Sequence, residues 1–341
     1  MAKRGFGVTK NGEAVTLYRL ENKAGACAEF INYGAALRSL RVPDARGELT
    51  DVVLGFGDVA GYENNEAFIG AFIGRYANRI GGARFSLAGQ EYRLDANEPG
   101  RCLHGGSLGF DKRMYAANEE NGALVFTRVS PDGEQGFPGN LKVRVACRLT
   151  EGNALELSYE AETDRPTVVS LTNHSYFNLN GGGDVLKHTL FIDADSITEV
   201  DENFNVTGEL LPVCGTPFDF RTEKPVGKDI LSEHEQLRRG LGYDHNFVLN
   251  GGSFRHAASL VGDMSGIRME VFTDAPGLQL YSANFLGGVP AGKNGAVYKN
   301  RGALCLETQN FPDAPNHKNF PNAVLLPGET YRTRTVYAYF S

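Results

Sequence analysis

Leu141-Lys142-Val143-Arg144-Val145-Ala146-Cys147-Arg148-Leu149 puts Leu, Val, Val, Cys and Leu on its odd positions and gives Lys142, Arg144 and Arg148 to the other face. A period of two is the signature of a strand with one buried and one wet side. Glu151-Gly152-Asn153 then turns the chain, and Leu155, Leu157, Tyr159 and Ala161 repeat the alternation. Residues 141–161 therefore read as an antiparallel hairpin.

The same pattern extends outward from this hairpin. Phe85–Leu87 and Tyr92–Leu94, joined by Ala88-Gly89-Gln90, read as a shorter hairpin, and Glu329–Phe340, rich in Tyr, Thr and Val, as a closing strand. The 42 glycines and 14 prolines break the chain at short intervals, as many strands joined by turns require. Helix signals are scarce. Asp229–Arg239 can form a turn or two, with Ser232 as cap and Glu235 three residues later. No strand–helix–strand rhythm appears, which argues against a doubly wound sheet. The expected fold is all-β, a large antiparallel β-sandwich with very little helix, forming one domain over residues 1–341. Whether the strands make one pair of sheets or two packed sandwiches stays open at this level.

Composition narrows the partners. A chain of 341 residues buries a sizeable core without a metal or disulfide staple. Its 41% hydrophobic and 22% charged residues are those of a folded globular protein. A net charge of −7 repels phosphate backbones and anionic lipid, so neither nucleic acid nor a membrane surface is expected as partner. Uncharged small molecules remain. Cys27, Cys102, Cys147, Cys214 and Cys305 are an odd number, widely spaced and without a CxxC pair, so neither a disulfide framework nor a zinc ribbon is expected. Lys3 and Arg4 are followed by no apolar stretch of signal-peptide type, and no run approaches the ~20 apolar residues of a membrane span. The expectation is a cytoplasmic protein, unless an export signal preceded this sequence, acting as a monomer or weak homodimer.

Several polar residues interrupt segments where a core residue is expected. Ala303–Leu306 is apolar, Glu307 breaks the run, and Phe311-Pro312-Asp313-Ala314-Pro315 bends the chain into a loop. A carboxylate at the end of a buried strand is partly desolvated and a stronger base than one in open solvent. Alone, it serves equally well as the partner of a rim arginine. His174 stands within Val168–Leu179, among aliphatic and aromatic residues and flanked by Asn173 and Ser175. Histidine exchanges protons near neutral pH, yet a hydrogen-bonded core histidine has the same surroundings. Cys102-Leu103-His104-Gly105-Gly106 suits either close backbone approach to a ligand or an ordinary turn. Gly74-Arg75-Tyr76-Ala77-Asn78-Arg79-Ile80 holds two arginines beside apolar residues, so at least one guanidinium is partly buried, on a ligand or in a structural ion pair. In Gly242-Tyr243-Asp244-His245-Asn246-Phe247, Asp244 either accepts from ligand hydroxyls or orders a turn. The seven histidines show neither HxH nor HExxH spacing, and no GxSxG, P-loop or strand-following GxGxxG is present. No metal and no cofactor are expected.

Taken together, the segments resemble the galactose mutarotase (aldose 1-epimerase) family. The matching pieces are GRYANRI at Gly74–Ile80, LHGG at Leu103–Gly106, TNHSYFNL at Thr172–Leu179, YDHNF at Tyr243–Phe247, Gln279 with Asn284-Phe285-Leu286, and LETQNFPDA at Leu306–Ala314. They occur in the family's order across nearly the whole chain. NHSYFNL and LETQN are the specific ones. Departures lie in the aromatics: Met114-Tyr115 and Phe311 stand where relatives often carry tryptophan, and the chain has none.

The resemblance implies a galactose mutarotase-like supersandwich with an open cleft for a free hexose such as galactose or glucose. It also implies Glu307 as catalytic base and His174 as catalytic acid, with Asn78, Arg79, His104, Ser175, Tyr176, Asp244 and Gln279 binding the monosaccharide. Mutarotation opens a hemiacetal, so the anomeric hydroxyl loses a proton while the ring oxygen gains one. A base and an acid suffice, with no redox step, metal or covalent intermediate. Three rival activities share these features. A glycoside hydrolase needs a second carboxylate, for which Asp244 is available. A non-catalytic sugar-binding module needs neither proton carrier, and a hexose-6-phosphate epimerase needs extra basic residues at the cleft.

Overall fold

The hairpin read from the alternation lies inside the largest sheet. In a computed structural model describing residues 1–341, Leu141–Leu149 and Ala154–Thr163 pair antiparallel from Leu141↔Thr163 to Leu149↔Leu155. Leu141, Val143, Val145 and Cys147 are buried, and Leu155, Leu157, Tyr159 and Ala161 join the same core. The sheet runs Ala116–Glu120, Ala123–Ser130, Leu141–Leu149, Ala154–Thr163, Tyr331–Phe340, Arg268–Thr273, Arg255–Val261, Thr189–Ile192, Lys224–Pro225. The strand read as closing the chain therefore closes no edge. Tyr331–Phe340 lies between Ala154–Thr163 and Arg268–Thr273, in the interior of the sheet.

A second sheet has the order Tyr176–Phe177, Leu304–Gln309, Gly277–Tyr281, Asp244–Leu249, Ala194–Val200, Val206–Pro212. A third, five-stranded meander takes residues 2–51 in chain order. All ladders within the three sheets are antiparallel. The three meet in one apolar cluster, to which Tyr18 and Phe30, Phe126 and Tyr159, and Phe247 and Leu306 belong. The fold is all-β, antiparallel sheets stacked around one main core with smaller apolar clusters beside it.

The strand Leu304–Gln309 shows how the layers meet. Every one of its residues is buried, because both of its faces are covered. Leu304 and Leu306 enter the main core, and Thr308 bonds the Thr335 hydroxyl of the nine-stranded sheet. The Tyr337 hydroxyl donates to the Leu306 carbonyl at 3.0 Å. By the period of two, Cys305, Glu307 and Gln309 point the other way. The sequence shows only an apolar run there, since alternation is visible only when one face is wet.

Two smaller expectations shift. The short hairpin forms as Arg84–Leu87 and Gln90–Arg93, and Ala88 and Gly89, with φ of 51° and 80°, make a two-residue turn. Gln90 thus pairs with Leu87 instead of turning. Ser232 does not cap a helix. A turn closed by its own N–H donating to the Asp229 carbonyl takes up residues 229–232, and the helix Glu235–Gly240 starts later, capped by His234 accepting from the Gln236 N–H at 3.3 Å. A second helix, Val59–Glu63, was not read from the sequence and is capped by Asp58. No helix is long and apolar enough to cross a membrane.

Candidate active site

The back faces of four neighbouring strands form the floor of a cleft. Register places Asn246, Gln279 and Glu307 in one cross-strand row. Asp244, Tyr281, Cys305 and Tyr176 form the next. Paired residues on antiparallel strands share a face, so both rows look out of the sheet on the side away from the core. A cavity of about 590 Å³ opens above them, lined among others by Asn78, Arg79, His104, His174, Tyr176, Asp244 and Glu307. That volume lies in the ordinary range for a small-molecule site.

The walls come from loops pinned to this floor. Thr172–Asn173 pairs with Phe72–Ile73, and His174 follows at its end. The ring of His174 stacks on Tyr176 at 5.0 Å and on Phe68 at 6.0 Å between centroids. Arg79–Gly81 pairs with Arg101–Leu103, which carries His104 next to Asn78. The Asn78 N–H donates to His104 Nδ1 at 3.1 Å, and the Asp313 N–H donates to the Arg79 carbonyl at 2.8 Å. Asn78 and His104 both adopt left-handed backbone, with φ of 64° and 51°. Gly105 has φ +88°, and a Cβ there would stand 2.1 Å from the Gly74 carbonyl oxygen, so the LHGG segment needs glycine at that point.

Chemistry concentrates on Glu307 and His174. Glu307 is 2% exposed, and its Oε1 lies 3.6 Å from His174 Nε2. Its Oε2 is buried and has no hydrogen-bond partner in the protein. Burial, and next the negative charge of Asp244, raise the Glu307 pKa well above the usual carboxylate range, against the pull of Arg79. Burial pushes His174 down to about 3, with its own backbone carbonyl pulling upward and Arg79 pushing further down. His104 is also held well below the ordinary imidazole value by burial, His174 and Arg79. Asp244 is raised by burial, while Arg79 and Gln279 pull it down.

Arg79 is held from several sides. Its Nε donates to Glu98 at 3.1 Å, its Nη1 lies 3.7 Å from Asp244, and its guanidinium stacks 4.8 Å over the Phe204 ring. Gln279 donates from its Nε2 to Asp244 at 2.6 Å and so stands behind that carboxylate, outside the main cleft. Ser175 is not brought to the cleft. It is 2% exposed, and its hydroxyl donates to Asn173. Arg75, the other arginine of the same motif, is structural. Its donors reach Ser130 Oγ at 2.8 Å and the carbonyls of Ser130, Pro131 and Pro138 at 2.9, 2.8 and 2.8 Å.

His104, His174 and Glu307 together have the donor types of a metal centre, with ligand atoms within 4.8 Å of one another. The tautomer of His104 argues against that use. Because its Nδ1 accepts the Asn78 N–H, the neutral ring carries its proton on Nε2 and offers the cleft a donor, not a lone pair. Phe285, from the quoted Asn284-Phe285-Leu286 piece, lines the cleft, as do Glu66, Phe68, Glu98 and Tyr281, which were not read from the sequence. They lie in separate loops and strands, with no local signal marking them. Gly287 and Gly288 also line it.

Comparison with known proteins agrees with this geometry. Residues 16–338 match the family model described as aldose 1-epimerase. The chain is 44% identical over 306 residues to the galactose mutarotase of Homo sapiens, covering 89% of this chain and 88% of that protein. It is 39% identical over 337 residues to the aldose 1-epimerase of Escherichia coli K12, covering 97% of each. Among solved structures, the GalM/aldose epimerase homologue from C. elegans superposes with a TM-score of 0.89 at 33% identity, covering 95% of this chain and 98% of that one. The galactose 1-epimerase of Lactobacillus acidophilus gives 0.87 at 28%, covering 99% and 98%. A match spanning the family model almost end to end, on a cleft that gathers a buried carboxylate and two histidines, means that this chain belongs to the aldose 1-epimerase family.

Proposed function

We propose that Glu307 and His174 are the base and the acid with which this aldose 1-epimerase interconverts the α and β anomers of free hexoses. The supporting observation is their contact, 3.6 Å apart and both buried, with pKa values displaced in opposite directions. The reaction needs one titratable proton shared between the two side chains. Burial, which raises Glu307 and lowers His174, favours that proton on Glu307 with both groups neutral.

Ring opening begins from the other arrangement, a Glu307 carboxylate beside a His174 imidazolium. The carboxylate takes the proton of the anomeric hydroxyl, the imidazolium gives its own to the ring oxygen, and the C1–O5 bond breaks. Both side chains are then neutral while the sugar is an open-chain aldehyde. Burial favours that neutral arrangement over the ion pair, so the site stabilises the stage of the cycle at which the least stable form of the sugar is present. After rotation about C1–C2 the transfers run backward onto the opposite face of the carbonyl. Glu307 protonates the carbonyl oxygen, His174 takes the proton of the C5 hydroxyl, and the ring closes as the other anomer. The proton count of enzyme and sugar is unchanged over the cycle.

In this reading Arg79, Asn78 and His104 Nε2–H donate to sugar oxygens and Asp244 accepts from hydroxyls. Tyr176 supports the ring of His174, its hydroxyl being held by the Ala67 carbonyl at 2.9 Å. Gln279 orients Asp244. The test is optical rotation of freshly dissolved α-D-galactose and α-D-glucose with purified protein. Accelerated decay to the equilibrium rotation is expected. Sugar binding without acceleration, or release of reducing ends from galactosides, would overturn the reading.

A further inference from the structure

One strand grips both nitrogens of the His174 ring. Cys305 and Glu307 lie two residues apart on Leu304–Gln309 and so share its outward face. Glu307 Oε1 stands at Nε2, and Cys305 Sγ stands at Nδ1 at 3.5 Å. We propose that Cys305 is a positioning residue for the reaction: its sulfur accepts the Nδ1–H of His174 and keeps the Nε2 lone pair turned toward Glu307. The proposal rests on the acid/base reading above.

The chemistry requires that tautomer. For the proton resting on Glu307 to load the acid, Nε2 must present a lone pair, and the ring's own proton must then sit on Nδ1. If Nε2 carried the hydrogen, Glu307 would face a donor and the transfer would be blocked. Nδ1–H therefore needs an acceptor. The carbonyl of His174 itself is shared with the Gly70 N–H at 2.9 Å, and the side-chain atom at hydrogen-bond distance from Nδ1 is Cys305 Sγ. Cys305 is fully buried, so no water competes for its sulfur.

Sulfur also suits the task by being weak. A carboxylate behind a histidine strengthens the ring as a base and stabilises the imidazolium. A neutral thiol orients the ring without that effect. The imidazolium then stays a strong acid, ready to give its proton to the ring oxygen. Tyr176 and Phe68 fix the two faces of the ring, Arg79 and His104 supply only positive or neutral neighbours, and Cys305 fixes its rotation.

The deciding measurement is the tautomer of His174 by ¹⁵N NMR on histidine-labelled protein, with the resonance assigned by its loss in His174→Asn. The expected result is protonated Nδ1 and bare Nε2 in the wild type. Cys305→Ala is expected to move the ring toward the Nε2–H form and lower kcat about tenfold, as for other groups that orient a histidine through its second nitrogen, with KM within about twofold. Cys305→Ser, which restores an acceptor, is expected to recover tautomer and kcat. A wild-type ring with Nε2–H overturns the proposal whether or not the variants fold. So does a folded Cys305→Ala that keeps both the Nδ1–H tautomer and wild-type kcat. Failure of the wild type to accelerate anomer equilibration would instead remove the acid/base reading, and the polarimeter reads that separately.

Discussion

Replacing Glu307 by Gln keeps the shape of the side chain and removes its ability to take a proton, and His174→Asn does the same to the acid. Each transfer by a placed group is typically worth ~10²–10⁴ in rate, so each variant is expected to lose turnover in that range. Neither should lose its fold, since no charge pair of the core depends on them. Polarimetry and thermal melting check the two halves of this prediction, and near-normal turnover in either variant would sink the assignment. A second consequence concerns pH. The working pair carries one proton. With ordinary values near 6.5 and 4.3, that state would span only the weakly acidic region. Here His174 is lowered to about 3 and Glu307 is raised. The second proton is therefore added only near pH 3, and the single one is lost only well above the usual carboxylate range. We expect no acid limb in kcat/KM down through pH 5, and an acid limb centred near 6.5 would contradict it. Glu307 and His174 were legible in the sequence because each breaks an apolar run. Phe68 and Glu98 were not, because a loop aromatic or a rim carboxylate looks like any other until tertiary contacts put it beside His104 or Arg79.

The segment Gly74–Ile80 shows what an element adds to its residues. Its two arginines were indistinguishable in the sequence, and the fold gives them opposite tasks. Arg75 spends its donors on Ser130 Oγ and on three backbone carbonyls, tying this segment to the loop after Ala123–Ser130. Burial lowers its pKa to about 10. Lysine cannot reproduce the planar fork, and it takes a donor away from the buried carbonyls of Ser130 and Pro138, at about 1–3 kcal/mol each. Arg75→Lys is therefore expected to lose roughly 3 kcal/mol or more of stability, read as a lower urea midpoint, while the folded fraction retains its kcat. Arg79→Lys should do the reverse, raising KM or lowering kcat/KM with little change in midpoint. If both variants lose stability alike, the division of labour is wrong. Elements with one wet face, such as the hairpin over 141–163, were readable from alternation alone. Leu304–Gln309 and the two-residue strands Thr172–Asn173 and Tyr176–Phe177 were not, since a doubly covered or very short strand has no period to read.

At the scale of the whole molecule, we propose that residues 1–341 unfold as one unit, because the main apolar cluster draws on all three large sheets. The cysteines provide built-in reporters of this. All five are free thiols, and Cys214 alone is exposed. The other four are distributed through the structure. Cys147 sits in the main core, Cys305 in the cluster beneath the cleft, Cys102 in the cluster around Phe85 and Phe311, and Cys27 in the five-stranded sheet. A buried thiol cannot react until its surroundings open, so each reports the stability of its own region. In native buffer a thiol reagent is expected to modify one cysteine, identified as Cys214 by peptide mapping, and all five in denaturant. Across a urea titration the four protected thiols should become reactive with a common midpoint, equal to that of far-UV circular dichroism. Earlier reaction of Cys102 would mean that the loops carrying Arg79 and His104 open independently of the sheets. The cleft would then be assembled on a mobile wall instead of being held by the cooperative core, and the single-unit proposal would have to be given up.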